Sequence, residues 1–184
     1  AEKVNMFTAL LREADKFVTE KYLPDVYTIA DYYPEYYGLG KGYGNFISFG
    51  MLPEDSNDNR SFKPGVIHNL AEKPAKLEQK HITEQVENSW YDREAKDRHP
   101  YEEETKPNKD KPGAYTWVKT PHYKGEPFEG GPLDRLWING TYRKGNSAMD
   151  RIIAIALETK EIIDLMYTYL EKLNPGQHTL KKYE

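Results

Sequence analysis

Residues 147–176, SAMDRIIAIALETKEIIDLMYTYLEKLNPG, carry the strongest structural signal in the chain. Met149, Ile152, Ile153, Ala156, Ile162, Ile163, Met166, Tyr169, Leu170 and Leu173 recur at intervals that keep them on or near one broad face of an α-helix. Asn146-Ser147 supplies a cap, because a short polar side chain can accept a hydrogen bond from the first free backbone N–H groups. Pro175-Gly176 ends the run, since proline cannot donate to the ladder and glycine leaves it easily. A helix of about 27 residues would span about 40 Å. A face that broad needs neighbours to cover it.

The chain offers three further helices and little regular sheet. Val4, Phe7, Leu10, Leu11, Ala14, Phe17, Val18 and Tyr22 repeat at helical spacing, with Glu2, Lys3, Arg12, Glu13, Asp15 and Lys16 between them. Pro24 is expected to interrupt this helix, with Leu23 biased away from helical angles and a short helix restarting over 25–33 before Pro34. Leu77, Ile82, Val86 and Trp90 suggest a further helix over 77–90. Glycines at 38, 40, 42 and 44 lead into a short strand over 45–49, a polar loop covers 53–65, and 66–68 reads as a second strand. From Tyr91 to Gly145 the chain reads as mostly irregular, a length unusual inside a compact domain unless it serves function or packs on a partner. The fold class is therefore α+β: amphipathic helices at both ends, the C-terminal one long, flanking short strands and a long ordered loop. Residues 1–184 form a single domain on this reading.

Composition excludes several classes. Fifteen tyrosines, six phenylalanines and three tryptophans do not belong to a disordered chain. A net charge of −4 gives no electrostatic reason to expect nucleic acid. No apolar run approaches the roughly 18 residues of a membrane-spanning helix. There is no cysteine, so the chain can form no disulfide and offers no thiolate to a metal or a substrate.

The remaining motifs support blander readings. Gly38–Gly44 fails the dinucleotide fingerprint, because Tyr43 and Asn45 fall where the third glycine belongs, and flexible connection is the better account. None of His68, His81, His99, His122 and His178 pairs with another at helical spacing, which disfavours a helix-borne metal site. Glu102–Glu104, and the pair Glu126 and Glu129, could serve acid–base chemistry but read more simply as surface charge. Ser56, Ser61 and Ser89 lack the context of an activated nucleophile.

Residues 115–133, YTWVKTPHYKGEPFEGGPL, are more specific than any of these. The stretch resembles a signature of nickel–iron hydrogenase large subunits, close to Tyr-Ser-Trp-x-Lys-Ala-Pro-Arg-Tyr-x-Gly-x-Pro-x-Glu-x-Gly-Pro-Leu. NFISFG at 45–50, FKPGVI at 62–67, ENSWY at 87–91 and RHPYEEETKPN at 98–108 resemble further segments of that family in the same order. KFVTEKYLPDV at 16–26 and the terminal helix also fit, so the resemblance covers most of the chain. Thr120, His122, Gly130 and Asp134 depart from it: alanine and arginine are common at the first two positions and apolar residues at the others.

The resemblance implies reversible oxidation of dihydrogen to protons and electrons by the intact protein. In that family a nickel–iron centre is held by two Cys-x-x-Cys motifs, one near each terminus. This chain has neither, so it resembles an internal fragment, with no catalytic residue and no metal ligand of its own. The implied partners are a small subunit carrying iron–sulfur clusters and the remainder of the large subunit. His99, with Arg98 beside it, matches a histidine near the small-subunit cluster, as a hydrogen-bond donor or charge at the electron exit. A histidine that merely holds its loop together is an equal reading. Trp117, Lys119, Tyr123 and Pro132 match the loop motif and are expected at the wall of the buried centre or the subunit seam. The loop itself is expected to be ordered by the rest of the large subunit and the small subunit. Kinship implies a periplasmic or membrane-associated protein, with a cytoplasmic one possible. The alternative from another class is a non-catalytic, hydrogenase-derived scaffold or assembly protein.

Overall fold

The computed structural model describes residues 2–53, 59–92, 98–102 and 104–173. The chain divides into two compact units, one drawing on residues up to Pro34 and from Ile152 onward, the other on Glu35–Arg151. Both helices expected at the ends are present, as are short antiparallel strands, and the class is α+β.

The first unit is helical. Helix α1 covers Glu2–Phe17 and α2 covers Leu23–Tyr32, joined by a π turn over Val18–Tyr22. Pro24 therefore does not interrupt the helix. Leu23 keeps helical angles, φ −61° and ψ −49°, and its N–H donates to the Val18 carbonyl five residues back. The wider turn makes room where a proline ring would otherwise strike the carbonyl four residues before it. Pro34 does stop α2, and Tyr33 leaves the helical region at φ −124° and ψ 59°. From Ile152 on, the long helix α4 (Ala148–Glu171) contributes Ile163 to a cluster with Leu11 and Val18, flanked by Tyr22, Leu23, Met166, Tyr167 and Leu170. At its edge Lys160 pairs with Asp15 at 3.4 Å and also with Asp164.

The second unit is built on a hairpin. Strands β1 (Phe46–Pro53) and β2 (Arg60–Ile67) pair antiparallel, Phe46 opposite Ile67 and Phe49 opposite Pro64. Residues 60–65 are thus strand rather than polar loop, and Pro64 is tolerated because this two-stranded ladder has no central strand. Phe46, Ile47, Phe62 and Ile67 are fully buried. Helix α3 (Pro132–Asn139) packs on both strands through Leu133, Leu136 and Trp137. Proline in its first turn and Gly140 at φ 90° beyond its end are the two punctuation marks of a short helix.

Residues 77–90 are not a helix. A single 3₁₀ turn at Gln79–His81 precedes strand β3, Ile82–Gln85. The interval of four between Ile82 and Val86 keeps one face in a strand as well as in a helix. Pairing with Thr120–Tyr123 (β6) decides between them, setting Ile82 opposite Tyr123. Two short ribbons, β4 (Tyr91–Asp92) with β5 (Lys106–Pro107), and β6 with β7 (Glu126–Pro127), complete the sheets. The described residues of 91–145 therefore hold four strands and a helix, each short and several containing proline. No helix among the described residues is long and apolar enough to cross a membrane.

Candidate functional site

The stretch 115–133 is threaded onto its own unit along its length. Tyr115 donates to the Asn88 carbonyl at 3.0 Å, Trp90 donates to the Thr116 carbonyl at 2.9 Å, and the Ser89 hydroxyl donates to the Val118 carbonyl at 2.5 Å. It then becomes β6, turns at Lys124-Gly125, and returns as β7. Both turn residues have positive φ, 53° and 83°, the turn whose twist matches antiparallel strands. Beyond β7 it runs beside β1: Ile47 donates to the Glu129 carbonyl at 2.8 Å, and Glu129 to the Asn45 carbonyl at 2.9 Å. The loop also has internal ties: 115–131 is bonded to β1, β3 and the 88–90 turn.

A cleft of about 360 Å³ opens beside β3 and β6, lined in part by His99, Tyr101, Glu84, Lys119, Ile82 and Phe49. Lys119 Nζ meets Glu84 Oε2 at 3.0 Å, with both side chains mostly shielded, and lies 5.2 Å from the centre of the Tyr91 ring. His99 is held by four contacts, one of them the Glu102 N–H donating to its carbonyl at 2.9 Å. Its N–H donates to Glu102 Oε2 at 3.1 Å, its Nδ1 accepts from the Tyr101 N–H at 3.2 Å, and its ring stacks on that of Tyr101 at 5.1 Å. An Nδ1 that accepts leaves Nε2 as the donor in the neutral ring. Arg98 joins through its backbone, its carbonyl accepting from the Glu84 N–H at 3.0 Å.

The geometry thus gathers His99, the Arg98 backbone and Lys119 in one place. Trp117 lies next to it, edge-on to Tyr91 at 5.4 Å and tilted against Trp90 at 5.2 Å, while about half of it stays exposed. Tyr123 is elsewhere. It is buried with Ile47, Val66, Ile82 and Phe128, and its hydroxyl accepts from the Glu78 N–H at 3.3 Å. Pro132 starts α3. The cleft offers a donor at its rim and a shielded ion pair in its wall, a combination suited to holding a polar surface. Among the described residues no activated nucleophile joins it.

The pair Glu126 and Glu129 is split. Glu126 meets the exposed His68 at 2.5 Å, while Glu129 accepts from Arg151 Nε at 3.0 Å and Nη2 at 2.5 Å. Arg151 also donates to the Gly40 carbonyl at 2.8 Å and to the Asn146 carbonyl. Asp134, in the first turn of α3, is 3% exposed, and its Oδ1 and Glu129 Oε1 are buried without a hydrogen-bond partner. Burial, then the nearby Glu129 charge, push the Asp134 carboxyl from 3.8 to about 7, against the pull of Arg151 and Arg135. Nothing in the spacing of these residues announces the cluster. The one sequence signal is Asp134 itself, a charge inside GGPLDRLWI where the family-like pattern is apolar.

These features define a class before they define a chemistry: an α+β segment with an ordered aromatic loop wrapped on a small sheet. Comparison with known proteins supplies the family. The sequence model for "Nickel-dependent hydrogenase" matches residues 1–173, and the chain belongs to that family. Over its whole length it is 35% identical to the periplasmic [NiFeSe] hydrogenase large subunit of Desulfomicrobium baculatum, and it covers 40% of that protein. It is 32% identical to the hydrogenase-2 large chain of Escherichia coli (strain K12) across 74% of this chain and 26% of that one. A solved structure of the H2-activated Dm. baculatum [NiFeSe]-hydrogenase superposes with a TM-score of 0.85 at 35% identity, covering all of this chain and 42% of that one. The chain spans about two fifths of the length of the relative it matches throughout.

Proposed function

We propose that this chain is part of the large subunit of a nickel-dependent hydrogenase, and that the intact protein oxidises dihydrogen reversibly to protons and electrons. One observation supports this above the others: the match to a hydrogenase large subunit runs the full length of the chain in sequence and in backbone. The nickel–iron centre implied by the family calls for soft thiolate ligands, which suit such metals better than imidazole or carboxylate alone. The residues here do not fit it. The sequence has no cysteine, and among the described residues no three His, Asp or Glu side chains converge as a metal site. No ligand and no step at the metal is assigned to this chain.

Its role is then structural support of the reaction. In this reading the cleft at His99 and Lys119 faces the small subunit that a large subunit pairs with, near an iron–sulfur cluster. His99 Nε2–H would serve there as a hydrogen-bond donor fixed by Glu102 and Tyr101. Trp117 would shape the same seam, while Tyr123 and Pro132 hold the loop rather than touch a partner. Relatives named periplasmic and uptake hydrogenases favour a periplasmic or membrane-associated setting.

The test is to isolate the protein from its native source with whatever it binds, and to measure mass, nickel, iron and hydrogen uptake together. Nickel and iron in a complex with a small subunit, with uptake activity, is the expected result. A metal-free product of 21.4 kDa that binds hydrogenase components without turning over hydrogen would overturn the reading in favour of a scaffold.

A further inference from the structure

Arg151 ties three stretches of the second unit together. Its guanidinium bonds the Glu129 carboxylate at the end of the 115–133 stretch, the Gly40 carbonyl in the glycine-rich segment, and the Asn146 carbonyl just before α4. The glycines are pressed hard against this clasp. A Cβ on Gly42 would collide with Glu129 Oε1 and fall 2.9 Å from Arg151 Nη2, and one on Gly40 would fall 3.2 Å from the Ala148 side chain. The Asn146 amide donates to the Gly42 carbonyl at 3.2 Å, and Ala148 N–H to the Leu39 carbonyl at 2.9 Å. Apart from the Leu39 N–H, which donates to the Tyr36 carbonyl at 3.4 Å, residues 39–42 are held by this charged hub and its immediate neighbours.

That hub has a second, buried carboxylate beside its Glu129–Arg151 pair. Asp134 and Glu129 both feel the Arg151 guanidinium, Arg135 adds a second positive charge at Asp134, and each carboxylate has a buried oxygen with no hydrogen-bond partner. An unpaired carboxylate is costly to bury, whereas a protonated carboxyl carries no charge to leave uncompensated. We propose that Asp134 acts as a proton latch: while it holds its proton the Glu129–Arg151 clasp keeps residues 39–42 seated, and when the proton passes to solvent the clasp opens.

Few other groups answer for the effect: Lys41 within the segment is exposed, and Arg143 Nε donates to the Trp137 carbonyl at 2.7 Å. Strand β1 has no titratable side chain. On β2, Arg60 bonds the Gly50 carbonyl at 3.2 Å and Lys63 is exposed. Arg135 on α3 lies against the Phe62 ring at 6.0 Å and adds positive charge that favours ionised Asp134. At the start of α4, Asp150 is taken up by Ser147 and by the Tyr142 hydroxyl at 2.7 Å. The raised pKa of Asp134 is in keeping with the latch and puts its release near neutral pH.

Hydrogen exchange on the full chain tests this, with amide protection corrected for intrinsic rates and read from about pH 5 to about pH 8. If opening hydrates Asp134, the opening constant of residues 39–42 rises by up to about tenfold per pH unit until about pH 7 and then levels off. Amides of the β1–β2 ladder should show no such slope. Asp134→Asn, which keeps the shape and cannot ionise, should remove the slope and leave the ladder protected. Equal slopes in both proteins, or none in the wild type, overturn the latch. Should the variant fail to fold, carbon-13 titration of the wild-type aspartate carboxyls decides instead. One carboxyl titrating near neutral pH is expected, and all of them titrating below about pH 5 overturns the proposal.

Discussion

Asp134 also sets a pH dependence for the whole fold. Its native carboxyl titrates near 7 against 3.8 when free. Between those values the native state binds a proton that the unfolded state has released, so stability falls as pH rises through that window and is level above it. A rise from 3.8 to about 7 corresponds to at most about 4 kcal/mol lost by neutral pH. Asp134→Ala should flatten the dependence of the denaturant midpoint on pH and add about 1–3 kcal/mol at pH ~8, after the small loss of packing. A midpoint that declines with pH as steeply as the wild type would show that other groups dominate. Gly42 gives a second test at the same scale. A methyl there must displace Glu129 or Arg151, so Gly42→Ala should lose about 1–3 kcal/mol in equilibrium unfolding. Gly113→Ala is the control: its φ is 76° but nothing lies within 4 Å, so only backbone strain of about 1 kcal/mol is expected.

The elements differ in how plainly the sequence announced them. α1 and α4 were legible because long amphipathic repeats admit one period only. The π turn was not, because a proline in a helical pattern reads as a stop, and the wider turn that accommodates it depends on the flanking helices. β3 was misread because its apolar interval fits both periods and its partner lies about 40 residues away in sequence. α3 was missed although Pro132 and Gly140 mark both its ends, since the prolines and glycines just before it suggested only a loop. At the site, the resemblance led to His99 and Lys119, which both line one cleft, while Glu84 could not be placed beside Lys119 without the β3–β6 register. Hydrogen bonding now predicts a graded exchange pattern. Amides of buried Ile47, Ile82 and Tyr123 should be strongly protected and those of His99, Tyr101 and Glu102, bonded only within a largely exposed turn, weakly, a contrast that native-state exchange would resolve. Uniformly weak protection through 120–131 would mean that the β3–β6–β7 sheet needs a partner after all. Ser147 offers a smaller check: its hydroxyl accepts from the Asp150 N–H at 3.2 Å while the Ser147 N–H donates to Asp150 Oδ2 at 2.8 Å. Removing half of that capping box, as Ser147→Ala, should destabilise by about 1 kcal/mol.

Over the whole molecule, the helical unit keeps a large apolar area in water. Met6, Phe7, Leu10 and Phe17 of α1 and Ile29 and Tyr32 of α2 are each at least two fifths exposed. Single exposed apolar residues are ordinary, but several along one pair of consecutive helices favour association. The charge that could oppose it is modest, −4 over 184 residues. In the proposed setting this area would be covered by other parts of a longer large subunit, since the matched relative is about two and a half times the length of this chain. Isolated, the 184-residue chain should therefore self-associate. Sedimentation velocity between about 5 and 200 µM should show the weight-average coefficient rising with concentration, and the rise should persist in high salt because its origin is apolar. Met6→Lys with Leu10→Lys changes two exposed positions outside the Leu11–Val18–Ile163 cluster, so it should restore a monomer without lowering the unfolding midpoint by more than about 0.5 kcal/mol. A wild-type chain that stays monomeric over the whole range would show that this face tolerates water by itself, and would strengthen the case for a free-standing scaffold.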